Sequence, residues 1–459
     1  MSNIFRKKDV SQLLGNTKRL PQTLGGFDLV MLGVGAIVGT GIFILPGTVA
    51  ATHSGPAIVI SFVIAAIVCA LAAMCYSEFS STIPVTGSAY TYGYIVFGEV
   101  IAWLVGWALV LEYGLASASV ATGWSAYFTN LLEGLNIHLP EMFTGPFDPA
   151  NGTFINLPAV IIVLAIAFLL SRGVQESTKI NRIMVFVKVG VILLFVFVGM
   201  FYVKPENWQP FMPFGIEGIL SGAALVFFAF LGFDAVSSAA EEVKNPQRNM
   251  PIGIIGSLFI CTLLYVAVSL VLTGIVSYTQ LNVTDSVSFA LQLVNQDWIS
   301  GIISVGAVTG MMTVILVMIF GGTRLLYALG RDGLLPKIMS ELNRKHQTPV
   351  KNTWIFAILI AFCAGFIPLG TLAELVNMGT LIAFIIVSIG VIFLRKNKNM
   401  PTGGFKVPLF PIIPILSFVA CVFLILQLAI STWIACGIWF VIGLILYFTY
   451  GKNHSTMNN

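Results

Sequence analysis

The feature that most constrains this chain is a series of apolar segments that recurs from residue 27 to residue 450. A helix needs about 20 predominantly apolar residues to cross about 30 Å of hydrocarbon. Twelve segments approach or exceed that length: 27–50, 56–79, 97–128, 157–171, 182–203, 217–240, 252–276, 298–329, 353–368, 371–394, 409–430 and 432–450. Because an α-helix pairs its own backbone groups, each segment is predicted to be a membrane-spanning helix.

The composition agrees with a membrane protein, because hydrophobic residues make up 57% of the chain and charged residues only 9%. An ordinary soluble domain is about 25% charged. The predicted fold class is therefore an all-α integral membrane protein. The net charge of +4 is too small to indicate a nucleic-acid partner. All six cysteines fall in apolar segments without metal-ligand spacing, so no metal or cofactor is expected.

The basic residues test the number of spans. With the N-terminus inside, all but two of the 23 Lys and Arg residues fall at segments predicted to lie on the inner side. The exceptions are Lys204, in an outer loop, and Lys188, within the fifth apolar segment. This positive-inside distribution predicts twelve spans in the cell membrane, with both termini cytoplasmic.

The first apolar segment is unusually rich in glycine, with Gly33, Gly35, Gly39 and Gly41 in nine residues. Each glycine weakens a helix by roughly 1 kcal/mol relative to alanine. One interpretation is close helix packing through small residues. The other is an unwound stretch whose unpaired N–H groups bind a ligand. The glycines alone favour neither.

The sixth apolar segment carries a second interruption, at Gly232 and Asp234. Interruptions five segments apart occupy corresponding positions of two five-helix halves, which is typical of transporters built from inverted repeats. A half-helix N-terminus after the first interruption suits a carboxylate. Carbonyls freed at both interruptions suit an ammonium group. Together they predict a site for the backbone of an α-amino acid.

Further motifs accompany the two interruptions: Gly35–Pro46, Tyr76–Phe79, Pro84–Tyr90, Glu241–Pro246 and Arg324–Pro336. With these motifs the sequence resembles the amino acid–polyamine–organocation superfamily over nearly the whole chain. More narrowly, it resembles bacterial relatives of the cationic amino acid transporter family.

The resemblance implies a LeuT-type fold of five plus five helices in inverted repeats, with helices 1 and 6 broken and two helices added at the C-terminus. The implied organisation is a cytoplasmic segment (1–26), a transport core (27–394, with repeats at about 27–203 and 217–394), two further membrane helices (395–450) and a cytoplasmic tail (451–459).

The resemblance also implies which residues bind the substrate. Backbone N–H groups would hold its carboxylate, namely those of Thr40, Gly41 and Ile42. Backbone carbonyls would hold its ammonium group, namely those of Ile37, Phe228 and Leu231. The side-chain pocket would include Ala116 and Met318, with the Phe228 ring as an aromatic gate.

Lys188 is a lysine at the centre of a predicted span, which costs roughly 2.5–3.5 kcal/mol on insertion scales. One interpretation is snorkelling, in which the side chain reaches back towards Arg182 and the membrane surface. The other is proton coupling, because burial disfavours the charged ammonium and lets it lose a proton near neutral pH. Proton-coupled transporters that the chain resembles carry a lysine here.

Two acidic residues also lie inside predicted spans. Glu112 could contact a cationic substrate side chain or pair with another polar group of the bundle. Cationic relatives often place a second acid one turn earlier, where this chain has Ala108, so neutral substrates remain open. Asp234 could cap the half-helix after the second interruption, or take a direct substrate or proton role.

The function that follows from the resemblance is secondary active uptake of amino acids, with proton symport as the predicted driving force. Neutral, branched-chain, broad and cationic specificities all stay open, and exchange of one amino acid or polyamine for another is the alternative. The expected partners are the amino acid, a proton and membrane lipid. The sequence has no pore-filter repeat, no nucleophile–base set and no phosphate-binding loop, which disfavours a channel, an enzyme and an ATP-driven pump.

Overall fold

The computed structural model describes residues 6–8, 22–84, 88–173, 178–343, 348–396 and 403–458. Five basic residues of the positive-inside pattern lie outside these ranges: Lys18, Arg19, Arg344, Lys345 and Lys398. The described residues form α-helices joined by short 3₁₀ and π turns, with isolated β-bridges and no strand among them. The all-α prediction is confirmed for this part of the chain.

We number the helices in chain order. They are α1 (Gly26–Ile37), α2 (Thr40–Phe43), α3 (Leu45–Val49), α4 (Ile58–Thr82), α5 (Ser88–Val96), α6 (Glu99–Gly134), α7 (Leu157–Ser171), α8 (Thr178–Gly199), α9 (Gly215–Val226), α10 (Phe233–Ser238), α11 (Pro246–Ile275), α12 (Ser286–Leu293), α13 (Asp297–Arg331), α14 (Val350–Phe366), α15 (Leu369–Lys396), α16 (Ile412–Leu426), α17 (Ile430–Leu446) and α18 (Lys452–His454).

By length and composition, eight helical stretches among the described residues could cross a membrane: Leu45–Thr82, Glu99–Gly134, Ile180–Tyr202, Gly215–Ser237, Pro246–Ile275, Asp297–Arg331, Leu369–Lys396 and Ile430–His454. Four shorter apolar helices, α1, α7, α14 and α16, account for the remaining predicted segments. The chain is thus a multi-helix membrane protein. The count of twelve crossings and the five-plus-five repeat stay predictions.

The long helices differ in how deeply they are buried. The most apolar window of α6 is 89% buried, whereas that of the Ile430–His454 stretch is only 22% buried. Helix α6 packs against α13 and α15, while α1 packs against α11, α8 and α10. An apolar helix that is buried on all sides belongs in the interior of a bundle, and one that is largely uncovered faces lipid. Helix α6 therefore runs through the centre of the bundle, beside the interrupted helices.

Candidate functional site

The first interruption lies where the glycine-rich run predicts it. Helix α1 ends at Ile37, Val38 adopts an extended conformation, and α2 begins at Thr40. Gly39, between them, has φ −144° and ψ −138°, which is not helical. The backbone is thus unwound for two residues in the middle of the first apolar segment. The Val38 N–H still closes the last turn of α1 by donating to the Val34 carbonyl oxygen at 2.9 Å, and the helical pattern ends there.

The second interruption begins earlier than predicted. Helix α9 ends at Val226, a 3₁₀ turn covers Phe227–Phe230, and Leu231 is extended. Gly232 follows with a φ of +111°, a left-handed conformation that favours glycine, and α10 starts directly after it. The cap position of α10 is therefore Gly232. The interpretation of Asp234 as the N-cap residue is wrong, because Asp234 is the second residue inside the helix.

The two interruptions contact each other through their backbones. A Cβ atom added at Gly41 would lie 2.5 Å from Ala229 Cα, and one added at Gly232 would lie 2.9 Å from the carbonyl carbon of Ala36. Real Cβ atoms do not approach backbone atoms so closely. Close packing and unwinding therefore both occur, at different positions, while ligand binding by the freed N–H groups stays a prediction. Gly41 permits close packing, while Val38 and Gly39 form the unwound stretch.

Tyr265 of α11 joins the two interruptions, and no sequence pattern had singled it out. Its hydroxyl lies 2.5 Å from the carbonyl oxygen of Ala229 and 3.2 Å from that of Ile37. The hydroxyl has one proton, so it donates to one carbonyl at a time or shares the proton between them. The side chain is fully buried, so water cannot take over this role. Tyr265 thus links a carbonyl at the end of α1 to a carbonyl of the 3₁₀ turn that precedes the second interruption's extended residue.

Lys188 of α8 points into the bundle. Its side chain is fully buried, and its ammonium nitrogen donates a hydrogen bond of 2.9 Å to the carbonyl oxygen of Gly35. Gly35 lies in the last turn of α1, just before the interruption. The stem of Lys188 lies against Gly310 of α13, where an added Cβ atom would meet Lys188 Cγ at 2.9 Å. The lysine therefore bridges α8 and the end of α1 and does not snorkel towards Arg182.

The substrate-binding residues that the resemblance implies are all buried around these interruptions. They are Ile37, Thr40, Gly41, Ile42, Phe228 and Leu231. One of the proposed donors is engaged within the chain, since the Ile42 N–H donates to the Gly39 carbonyl oxygen at 3.3 Å. These positions lie in or directly beside the two interruptions, which contact each other at Gly41 and Ala229 and at Gly232 and Ala36.

The two predicted pocket residues lie on helix faces directed at the first interruption. Gly123 of α6 packs against Thr40, and Val314 of α13 packs against Gly39. Ala116 precedes Gly123 by seven residues and Met318 follows Val314 by four, so each shares a face with its contact residue. Both side chains are buried. The assignment of Ala116 and Met318 to a substrate pocket stays a prediction.

The acidic residues lie deep between the helices. Glu112 of α6 is buried, and its Oε2 atom has no hydrogen-bond partner among the described residues. Asp234 is equally buried and accepts a hydrogen bond of 3.4 Å from the Tyr113 hydroxyl. The described residues contain no group of three or more His, Cys, Asp or Glu side chains that could hold a metal ion.

Comparison with known proteins gives the family. The sequence profile of the amino acid permease family matches residues 24–433. The chain is 53% identical to the methylthioribose transporter of Bacillus subtilis, over all of both chains. It is 50% identical to a branched-chain amino acid permease of the same organism over 99% of each chain. It is 31% identical to the vacuolar cationic amino acid transporter 4 of Arabidopsis thaliana, covering all of this chain and 97% of the relative.

These relatives are transporters, not enzymes. They confirm the resemblance drawn from the glycine-rich run and its companion motifs. The chain is therefore a multi-pass membrane transporter and belongs to the amino acid permease family.

Proposed function

We propose that this protein is a secondary active transporter that takes up amino acids across the cytoplasmic membrane by proton symport. The observation that carries the proposal is the hydrogen bond from the buried Lys188 ammonium to the Gly35 carbonyl, beside the unwound part of the first helix. That contact joins a titratable group to the backbone that would bind the substrate.

The substrate part of the proposal rests on the paired interruptions. An α-amino acid carries a carboxylate and an ammonium group about one carbon apart, and it needs donors and acceptors facing each other at that spacing. The packing of Gly41 against Ala229 supports this arrangement, because Ala229 lies in the 3₁₀ turn that also contains Phe228. Backbone groups recognise every α-amino acid alike, so specificity would come from Ala116 and Met318.

The coupling part of the proposal follows from charge. A protonated Lys188 donates strongly to the Gly35 carbonyl, because hydrogen bonds from charged donors are about twice as strong as neutral ones. A neutral amine donates weakly and would let the end of α1 separate from α8. Binding of a proton would thus stabilise the arrangement of α1 that binds substrate, and release of the proton would loosen it.

Uptake into proteoliposomes tests this coupling. With an inward proton gradient, we expect wild-type protein to accumulate its substrate and the Lys188→Ala variant to lose gradient-driven accumulation. Lys204→Ala is the matched control, because Lys204 is an exposed lysine near the end of the same segment. Gradient-driven uptake that persists in Lys188→Ala would contradict the coupling role.

The alternative is exchange of one amino acid or polyamine for another. Exchange predicts uptake that ignores the proton gradient and requires amino acid inside the vesicle. Empty vesicles that accumulate substrate only under a gradient would exclude it. The buried Lys188 beside the first interruption favours symport, because an exchanger needs no group there that binds and releases a proton.

The substrate is tested by competition. We expect neutral and branched-chain amino acids to compete best, since apolar Ala116 and Met318 occupy the proposed pocket and Ala108 replaces the second acid of cationic relatives. Arginine and lysine belong in the panel because Glu112 is buried nearby on α6. Methylthioribose belongs in it because a relative of high identity is a methylthioribose transporter. If methylthioribose competes and no amino acid does, the amino acid proposal is wrong.

A further inference from the structure

Away from the two interruptions, both ends of the chain meet at one polar cluster. Residues 6–8 and the tail after α17 converge on the start of α6 and the end of α13, on the face that the positive-inside pattern predicts to be cytoplasmic. Two buried carboxylates, Glu99 and Asp332, form the centre of this cluster. None of these contacts takes part in the proposed substrate site.

Glu99 is the first residue of α6 and is completely buried. Its carboxylate accepts hydrogen bonds from the hydroxyls of Tyr94 at 3.0 Å, Tyr447 at 2.9 Å and Ser455 at 2.6 Å. Arg6 forms an ion pair with it at 3.6 Å, and the Arg6 carbonyl oxygen accepts from the Glu99 N–H at 3.0 Å. One buried charge therefore depends on donors from both termini.

Asp332, directly after α13, repeats the arrangement. Its carboxylate accepts from the Lys8 ammonium at 2.7 Å and the Tyr90 hydroxyl at 2.6 Å. Its backbone carbonyl accepts from the Thr456 N–H at 3.0 Å. The tail crosses Gly333 so closely that an added Cβ atom would lie 2.1 Å from the His454 carbonyl oxygen. The end of α13 is thus shaped to receive the tail.

The two termini also contact each other. The Arg6 guanidinium donates to the carbonyl of Met457, so the N-terminal residues cover the docked tail. We call residues 6–8 and 452–458 the terminal latch. The cations of the latch, Arg6 and Lys8, balance the two carboxylates, and leaving a buried charge without its partner is strongly destabilising. Without the N-terminal cations both carboxylates would lack a charge partner, and without the tail Glu99 would lose the Ser455 hydroxyl.

We propose that the C-terminal tail is an internal ligand of the Glu99 site, and that its docking fixes the ends of α6 and α13 to each other for transport. These two helices carry Ala116 and Met318, so the inference rests on the proposed function for its transport readout. In carriers with inverted repeats, one group of helices rocks against another around a fixed site. While the tail is docked, α6 and α13 stay together in the group of helices that does not move. Release of the tail slows the transport cycle.

Spin labels at Lys7→Cys and Asn453→Cys report docking by pulsed dipolar EPR. Both positions are exposed. Cys363, the native cysteine that is only half-buried, is replaced by alanine in the labelled variants so that it does not react with the spin label. With the latch intact we expect one short, narrow distance. Ser455→Ala removes a hydrogen bond to the Glu99 carboxylate. We expect this loss to raise the fraction of molecules with a released tail about tenfold or more. Thr449→Ala is the control, because Thr449 is exposed, lies outside the latch, and donates its hydroxyl to the Ile445 carbonyl one turn earlier.

Uptake kinetics on the same variants test the consequence. We expect Ser455→Ala, and a chain ending at Gly451, to lower the maximal rate several-fold with the apparent Km within about twofold of wild type. Distances that Ser455→Ala leaves unchanged overturn the docking claim. A released tail with unchanged or faster uptake overturns its role in transport. Wild-type protein that moves no amino acid refutes the proposed function, while the EPR distances still decide whether the tail binds Glu99.

Discussion

Replacing Tyr265 by phenylalanine removes one oxygen atom from between the two interruptions. The ring keeps its packing, because Tyr265 lies against Phe62 and Phe230 with ring centroids 5.3 and 5.0 Å away. What is lost is the donor to the carbonyls of Ala229 and Ile37. A buried group left unsatisfied costs about 1–3 kcal/mol. If 1–2 kcal/mol of this cost falls on the arrangement that binds substrate, the affinity drops about 5- to 30-fold.

Uptake kinetics in proteoliposomes measure this change. We expect Tyr265→Phe to raise the apparent Km by that factor, with normal expression and monodispersity. Tyr92→Phe is the matched control, because Tyr92 is a buried tyrosine whose hydroxyl has no hydrogen-bond partner among the described residues. An apparent Km for Tyr265→Phe that equals the control would refute the idea that this hydroxyl positions the two unwound stretches.

Two further substitutions test the close contacts of the bundle. Gly41→Ala should abolish uptake, because its Cβ would collide with Ala229, whereas Gly190→Ala should be neutral because nothing lies within 4 Å of a Cβ atom added there. Uptake assays on both variants check this, and an active Gly41→Ala carrier would contradict the geometry. Glu78→Ala should lower the thermal unfolding temperature, since the Glu78 carboxylate accepts two hydrogen bonds of 2.7 Å from Arg395. Losing one partner of a buried pair costs about 3–5 kcal/mol, and the cost here is smaller because the Arg395 side chain is partly exposed. A melting curve in detergent that matches wild type would show that this pair contributes nothing.

The sequence predicted those parts of the site that depend on local pattern. Four glycines in nine residues mark the first interruption because each weakens the helix where it stands. A lysine within an apolar segment stands out in the same way, because a charged side chain inside the membrane is energetically costly. The atom that Lys188 contacts could not be predicted, because the Gly35 carbonyl is brought to it by the packing of α8 on α1.

Other features left no local signal. Tyr265 is one tyrosine in a long apolar helix, and only the meeting of α11 with both interruptions gives its hydroxyl a role. Of the two interpretations of Asp234, the helix cap is wrong because the 3₁₀ turn and the left-handed Gly232 put the helix start at Phe233. Glu99 also depends on long-range contacts, since Ser455 binds it from the opposite end of the chain.

The central claim is that backbone atoms of the two unwound stretches recognise both charged groups of an α-amino acid. The most direct measurement is competition for uptake by three compounds: the best-transported amino acid, the same molecule without its amino group, and the same molecule without its carboxylate. The account predicts that removing either group weakens competition at least about tenfold, as expected when a charge-assisted hydrogen bond is lost. An analogue that lacks one group and still competes as well as the amino acid would contradict the claim.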